Sequence, residues 1–203
     1  MTQDSNIEKT NKTAAEAAKC DQNVAALLSL PIVLIGMMGS GKSRVGQILA
    51  AELSLPYADS DREIEIAAGC SIADFFERYG EEAFRDGELR VMTRLLDGTP
   101  KIISTGGGIV VRPETRTLLK EKAICIWLQA DPAVLAARCA GTTKRPLLRN
   151  GNPETILRDL LIKRQPWYQD AAVATVPSDH EDANDTVAQV LDALHAYLKT
   201  KTP

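Results

Sequence analysis

Short apolar runs recur along the chain and are separated by longer stretches in which apolar residues follow helical spacing. An apolar run of about four to eight residues, bounded by turn residues, is typical of a buried strand. The pattern predicts five strands, and these lie at residues 32–35, 57–59, 101–104, 124–128 and 172–176.

The segments between these runs carry helix signals. Ser71 with Asp74 three residues later marks one helix start, and Asp131 followed by Pro132 marks another. Further apolar spacing identifies an amphipathic helix at the end of the chain. Seven helices are predicted. The first begins after residue 43, the second covers 62–68, the third covers 71–96 with a break at Gly80, and the fourth begins at 113. The last three cover 132–139, 153 to about 164, and 187–198.

Strands that alternate with helices predict a sheet whose neighbours run parallel, because each helical crossover returns the chain to the same edge. We therefore predict a three-layer α/β/α domain with a five-stranded parallel sheet over residues 29–203. Residues 1–28 begin with a polar stretch and are expected to form a flexible extension. Ligands of such sheets bind at the carboxyl ends of the strands.

Composition indicates which kinds of binding partner to expect. The net charge is -3, and no stripe of Lys or Arg suggests a nucleic-acid surface. The apolar stretch at residues 24–39 is too short to span a bilayer and is interrupted by Pro31. The four cysteines lack C-x-x-C spacing, which favours free thiols in a reducing compartment. We expect a cytoplasmic monomer that binds a small molecule, not nucleic acid or membrane.

The segment GMMGSGKS at residues 36–43 matches G-x-x-x-x-G-K-[ST], and it follows a predicted strand and precedes a predicted helix. Its glycines let the backbone curl until N–H groups face phosphate oxygens, and the helix adds its positive end. Lys42 can reach the outer phosphates, and the Ser43 hydroxyl can bind Mg²⁺. The sequence therefore predicts a nucleoside triphosphate site in a P-loop NTPase fold.

Two further motifs follow predicted strands. Asp59 and Asp61 lie two residues apart, so their side chains share one side of an extended segment. One carboxylate suits a metal and the other a phosphoryl acceptor, although an Asp-rich turn that caps the next helix has the same pattern. Gly106, Gly107 and Gly108 indicate a close approach to the backbone, and a plain flexible turn remains the alternative.

Several basic residues lie at the ends of predicted elements. Arg offers a planar fork that matches carboxylate and phosphate, but a single Arg is more often a solvated charge. Glu88 follows Arg85 by three positions and could hold its guanidinium. Residues 140–152 combine glycines with Lys144 and Arg145, which is the composition of a mobile lid that excludes water from a transferring phosphoryl group.

The motifs together resemble the shikimate kinase family, in the nucleoside-monophosphate-kinase-like group of P-loop proteins. The resemblance extends from residue 32 to about residue 176. It rests on GMMGSGKS at 36–43, DSD at 59–61, SIADFFERYGEEAFRDGE at 71–88, STGGG at 104–108, RCAGTTKRPLL at 138–148 and KRQPWY at 163–168.

The resemblance implies transfer of the γ-phosphoryl group of ATP to the 3-hydroxyl of shikimate, with Mg²⁺ held by Ser43 and Asp59. It implies that Asp61 hydrogen-bonds the acceptor hydroxyl and acts as the base or assists it, and that Lys42 and Arg145 reach the transferring phosphates. The implied nucleotide contacts are Gly39, Ser40, Gly41, Lys42, Ser43, Arg138 beside the adenine, and Arg145. The implied shikimate contacts are Asp61, Arg85, Glu88, Gly106, Gly107 and Arg164.

Two other functions fit parts of this pattern. A gluconate kinase also joins a phosphate loop to a carboxylated polyol, but the Asp-x-Asp, the triple glycine and the R-x-P-x-Y set argue against it. A non-catalytic shikimate-sensing module would not need both Lys42 and Asp61.

The chain departs from the family pattern at one point near the expected adenine site. The family usually carries an acidic residue just after the last strand, where this chain has Val176, Pro177 and Ser178.

Overall fold

A computed structural model describes residues 28–140 and 151–201. Its five strands are β1 (Ile32–Ile35), β2 (Tyr57–Asp59), β3 (Ile102–Ser104), β4 (Ile124–Gln129) and β5 (Ala174–Pro177). Its helices, within those residues, are α1 (Lys42–Glu52), α2 (Ser60–Ala68), α3 (Ile72–Leu95), α4 (Pro113–Lys122), α5 (Pro132–Cys139), α6 (Pro153–Ala171) and α7 (Ala183–Lys199).

The strands form one parallel sheet in the order β2-β3-β1-β4-β5. The chain moves from β1 to one side for β2 and β3 and to the other side for β4 and β5. The loop after β1 therefore lies where the strand order reverses, which is the usual position of a ligand crevice in open α/β sheets. The predicted parallel sheet is confirmed.

The core is divided between the two faces of the sheet because successive strand residues point in opposite directions. In β1, Val33 and Ile35 pack into the cluster that α3, α4 and α6 cover. Ile32 and Leu34 pack into the second cluster, which α1 and α7 cover. All four residues are fully buried. The predicted three-layer arrangement follows from this alternation.

Two predicted boundaries are wrong. Helix α6 does not end near Arg164 but continues to Ala171 through Pro166. Tyr168 and Ala171 are buried in the core, so packing of the last turns outweighs the hydrogen bond that proline removes. Strand β5 consequently begins at Ala174 instead of residue 172.

The predicted break at Gly80 is confirmed. Gly80 has φ 76° and ψ 179°, a backbone conformation that divides α3 into two helical segments. Ser71 caps the first segment by accepting a hydrogen bond from the Asp74 N–H at 3.1 Å. The second segment carries Arg85 and Glu88, so the break sets the direction from which these side chains approach the sheet.

The cysteines and the lengths of the helices can be compared with the expectations from composition. Cys70 and Cys125 are free thiols, and burial raises the pKa of Cys125 to about 12. Over residues 28–140 and 151–201, no helix is both long enough and apolar enough to cross a bilayer.

Candidate active site

The segment GMMGSGKS forms a curled loop between β1 and α1. Gly39 and Gly41 have φ of 83° and 82°, in the left-handed region that side chains other than glycine rarely adopt. Gly41 is the N-cap of α1 and has no side chain that could accept from the first N–H groups of the helix. The helix thus presents uncapped N–H groups and its positive end to the space inside the loop.

Lys42 lies at the start of α1 with its side chain directed back into this loop. Its ammonium donates to the carbonyls of Gly36 at 2.9 Å and Met37 at 2.8 Å, and it lies 3.3 Å from Ser40 Oγ. The residue is buried. The positive charge is therefore held beside the concave backbone that would receive phosphate oxygens.

Asp59 ends β2 and is fixed by hydrogen bonds at both carboxylate oxygens. Its Oδ1 caps α2 by accepting from the N–H groups of Asp61 at 3.0 Å and Arg62 at 3.3 Å. Its Oδ2 accepts from Ser43 Oγ at 3.1 Å and Ser104 Oγ at 3.0 Å. A carboxylate and a hydroxyl at this separation form an oxygen donor pair that suits Mg²⁺, which retains most of its water ligands.

In the described ranges, no group of three or more His, Cys, Asp or Glu side chains is placed so that it could hold a metal ion.

Asp61 lies one residue into α2 and faces the turn after β3. A Cβ atom at Gly106 would lie 2.6 Å from Asp61 Oδ1, so the turn approaches the carboxylate closely because residue 106 has no side chain. Burial raises the pKa of Asp61, and the charge of Asp59 raises it further, whereas Lys42 and Arg85 lower it. The site thus contains a carboxylate whose affinity for a proton is increased.

Arg85 and Glu88 form an ion pair on α3 at 2.8 Å, which confirms the contact predicted from their spacing. Burial raises the pKa of Glu88, and the positive charge of Arg85 opposes that rise. Arg85 lies against Gly108, where any side chain would clash with the guanidinium. Because Gly108 has no side chain, the Arg85 guanidinium has room beside the turn after β3.

Arg164 approaches the same turn from α6. Its Nη1 donates to the Gly107 carbonyl at 3.0 Å, and the Tyr168 hydroxyl donates to the same oxygen at 2.5 Å. Burial raises the pKa of Tyr168 to about 12, so this hydroxyl remains a donor at neutral pH. The triple glycine therefore brings Asp61, Arg85 and Arg164 to three consecutive backbone positions.

Arg138 lies on the opposite side of the P-loop. Its guanidinium donates to the carbonyls of Ser178 and His180, each at 2.6 Å, in the loop that follows β5. These contacts fix the loop where the resemblance places the adenine. The predicted nucleotide residue Arg145 and most of the predicted lid at 140–152 lie outside the described residues.

Sequence reasoning missed three hydroxyl groups that support these residues. Tyr57 donates to Ser104 at 2.6 Å, which leaves the Ser104 proton for Asp59, and Tyr168 supports Gly107. Tyr57 and Asp59 share one face of β2 because they lie two residues apart. Ser104 is the register partner of Asp59 in β3. The two-residue period of a strand could have identified Tyr57 as a neighbour of Asp59. The contact of Ser104 could not be predicted without the order of the strands in the sheet.

The fold and these contacts define a P-loop phosphotransferase: a phosphate-binding loop lies beside a buried carboxylate and paired guanidinium groups. The family model for shikimate kinase matches residues 38–195. The chain is 46% identical over 180 residues to the shikimate kinase of Rhodopseudomonas palustris, which covers 89% of this chain and 88% of that protein. The chain belongs to the shikimate kinase family.

Solved structures agree with this assignment. A shikimate kinase from Acinetobacter baumannii, in complex with shikimate, has a TM-score of 0.81 and 35% identity and covers 86% of this chain and 98% of that one. A gluconokinase from Sinorhizobium meliloti has a TM-score of 0.59 and 20% identity, covering 85% of this chain and 95% of its own. The second likeness concerns the fold alone.

Proposed function

We propose that this enzyme transfers the γ-phosphoryl group of ATP to the 3-hydroxyl of shikimate, giving shikimate 3-phosphate and ADP. This reaction belongs to chorismate and aromatic amino acid biosynthesis, and we place it in the cytoplasm with the chain acting as a monomer. The observation that carries the proposal is the convergence of Asp61, Arg85 and Arg164 on residues 106–108, beside the P-loop.

The acceptor hydroxyl is activated by Asp61. Its ionised carboxylate accepts a hydrogen bond from the hydroxyl and takes the proton as the new O–P bond forms. The bond between the γ-phosphorus and the bridging oxygen breaks, and ADP leaves with that electron pair. A carboxylate with a raised pKa is a stronger proton acceptor than an ordinary Asp, which is how burial contributes to the step.

The nucleotide is held by the P-loop. In this proposal Gly39, Ser40 and Gly41 line the phosphates, and Lys42 balances charge on the oxygens that become more negative during transfer. Mg²⁺, bound by Ser43 and, through water, by Asp59, would supply further charge neutralisation. Arg138 lies next to the adenine in this proposal, and Arg145 contributes charge from a lid at residues 140–152.

The acceptor is positioned through its carboxylate. Arg85 and Arg164 both reach the turn at residues 106–108, and their guanidinium groups offer the planar pairs of N–H donors that a carboxylate matches. Glu88 keeps Arg85 in place. A ring acid held at its carboxylate turns a hydroxyl on the opposite side toward Asp61 and the γ-phosphate, which is the main contribution of positioning.

The test is ADP release from MgATP with shikimate, with gluconate and without an acceptor. We expect release with shikimate and only background release in the other two reactions. Turnover with gluconate but not shikimate would support the gluconate kinase alternative. Absence of turnover, with calorimetric binding of shikimate retained, would support the sensing module; absence of binding even in the presence of nucleotide would contradict both.

A further inference from the structure

Ser178 connects the loop after β5 to the P-loop. Its hydroxyl donates to the carbonyl of Ser40 at 2.7 Å across 138 positions of sequence. The residue is 2% exposed, so this contact is made away from water. A buried hydroxyl that donates to one defined carbonyl restrains it, because removal of the hydroxyl would cost the carbonyl this hydrogen bond.

The restrained carbonyl belongs to the peptide group that joins Ser40 to Gly41. The structure has no cis peptide bond among its described residues, so this group is trans. The C=O and N–H of a trans peptide point in opposite directions from the same plane. A hydrogen bond that holds the Ser40 carbonyl toward Ser178 therefore turns the Gly41 N–H away from Ser178, toward the concave side of the loop.

Gly41 needs such a restraint more than an ordinary residue does. It adopts φ 82°, and glycine reaches many other conformations at little cost. It is also the N-cap of α1, so its orientation sets where the positive end of the helix meets the loop. If this peptide plane is already fixed in the unbound enzyme, the loop loses less conformational entropy when phosphate binds.

Ser178 is itself held on both sides. Its N–H donates to the Gln129 carbonyl at 2.7 Å, and its carbonyl accepts from Arg138 at 2.6 Å. The helix that carries Arg138 also abuts the P-loop, because a Cβ at Gly39 would lie 2.9 Å from Cys139 Sγ. The hydroxyl is thus attached to a rigid frame and not to a freely moving loop.

We propose that Ser178 is a positioning residue for nucleotide binding: its hydroxyl orients the Ser40–Gly41 peptide so that the Gly41 N–H faces the phosphates. The inference rests on the proposed function because it takes the P-loop as the ATP site. Ser178 needs no contact with the nucleotide, and we expect its effect to be confined to the phosphate side of the cleft, since Asp61, Arg85 and Arg164 meet at the turn of residues 106–108, which follows β3.

The test compares Ser178→Ala with Ser178→Thr by calorimetric titration of MgADP and, separately, of shikimate. Loss of a buried hydrogen bond predicts that Ser178→Ala binds MgADP about five- to thirty-fold more weakly. Shikimate affinity of the nucleotide-free enzyme should stay within about two-fold, and Ser178→Thr should restore MgADP affinity because it keeps the hydroxyl. Thr115→Val is the matched control, since the buried Thr115 hydroxyl makes no hydrogen bond to the part of the chain that the structure describes.

The outcomes separate this inference from the proposed function. Unchanged MgADP affinity in Ser178→Ala, equal weakening of both ligands, or failure of Ser178→Thr to rescue would overturn the role of Ser178. Failure of the unaltered enzyme to bind MgADP would instead contradict the proposed function. If Ser178→Ala does not fold, Ser178→Cys decides the matter: it preserves most of the volume but donates weakly, so we expect an intermediate MgADP affinity.

Discussion

Glu88 binds Arg85 in an ion pair of 2.8 Å whose side chains are 2% and 12% exposed. The same guanidinium contacts Glu81 at 3.2 Å, but the Glu81 side chain is 63% exposed. Removal of one partner from a buried pair leaves an uncompensated charge, whereas an exposed partner is replaced by water. The two carboxylates therefore contribute unequally, although both contact Arg85.

This difference predicts the effects of neutral substitutions. Glu88→Gln should raise the KM for shikimate, because a neutral amide holds the Arg85 guanidinium less firmly than the carboxylate does. Glu81→Gln should change stability by less than about 0.5 kcal/mol and leave the KM nearly unchanged. Urea denaturation and initial-rate kinetics measure both. Equal effects of the two substitutions would show that burial of Glu88 does not govern the orientation of Arg85.

Arg85 itself should control acceptor affinity. Arg85→Ala should weaken shikimate binding by about 2 to 5 kcal/mol, because a desolvated guanidinium–carboxylate pair would be lost. Arg94→Ala, which removes an exposed partner of Glu63, is the control and should leave binding unaltered. Calorimetry measures the change. An unaltered affinity in Arg85→Ala would make Arg85 a structural charge only.

Asp61→Asn should separate activity from stability. Loss of the proton acceptor should lower kcat by about 10² to 10⁴-fold while MgADP binding is retained. At pH 7 the variant should be more stable than the parent in the ligand-free state, because a buried charge beside Asp59 is removed. Each kcal/mol gained corresponds to a rise in Tm of about 2 to 4 °C.

The pH dependence of this stability difference has a defined sign. The pKa of Asp61 is raised by folding, so the folded parent binds its proton more tightly than the unfolded chain does. The parent therefore loses stability as the pH rises from the unfolded value of 3.8 through the raised value. The advantage of Asp61→Asn should vanish at the acid end and be complete above the raised pKa. Thermal denaturation across pH tests this, and a pH-independent difference would contradict it.

The glycine turn should be sensitive at two neighbouring positions in different ways. Gly106→Ala places a methyl group against the Asp61 carboxylate and should mainly lower kcat, whereas Gly108→Ala displaces Arg85 and should mainly raise the KM for shikimate. Gly87→Ala on α3 meets no atom within 4 Å. It should leave the kinetics unchanged and add up to about 1 kcal/mol of stability through helix propensity. Kinetic losses in all three variants would contradict this division.

Lys42→Ala should reduce turnover by at least about 10² to 10³-fold, because it removes a positive charge whose interaction strengthens in the transition state. Lys42→Met keeps the apolar stem and should lose as much activity, which assigns the effect to charge instead of packing. Lys101→Ala is the control, since Lys101 pairs with Asp97 at the amino end of β3, away from the P-loop. Steady-state kinetics with MgATP distinguish these cases.

The positions of several candidate site residues follow from local order and could be predicted from the sequence. The P-loop, Asp59, Asp61 and the glycines at 106–108 all follow strands that apolar runs identify, and parallel strands bring their carboxyl ends to one edge. The contact between Arg85 and Glu88 was also accessible, because three positions on a helix place two side chains together. These features need only the period of each element and the order of the chain.

Other features depend on contacts between distant segments and could not be predicted in this way. Ser178 meets Ser40, and Ser104 meets Asp59, only after the sheet has assembled. The length of α6 was mispredicted because Pro166 is a strong local stop signal that burial of Tyr168 outweighs. Local propensity gives no measure of that burial.

The sheet order also bears on how such an enzyme can diverge. Asp61 and the glycines at 106–108 emerge beyond β2 and β3, on one flank of β1, whereas Arg138 and Ser178 emerge beyond β4 and β5 on the other. Mutations on the first flank can therefore alter part of the acceptor pocket while the contacts of Arg138 and Ser178 are inherited unaltered. Arg164 is the exception, because α6, which carries it, leads into β5 on the other flank. A complete change of acceptor therefore also requires mutations on that flank.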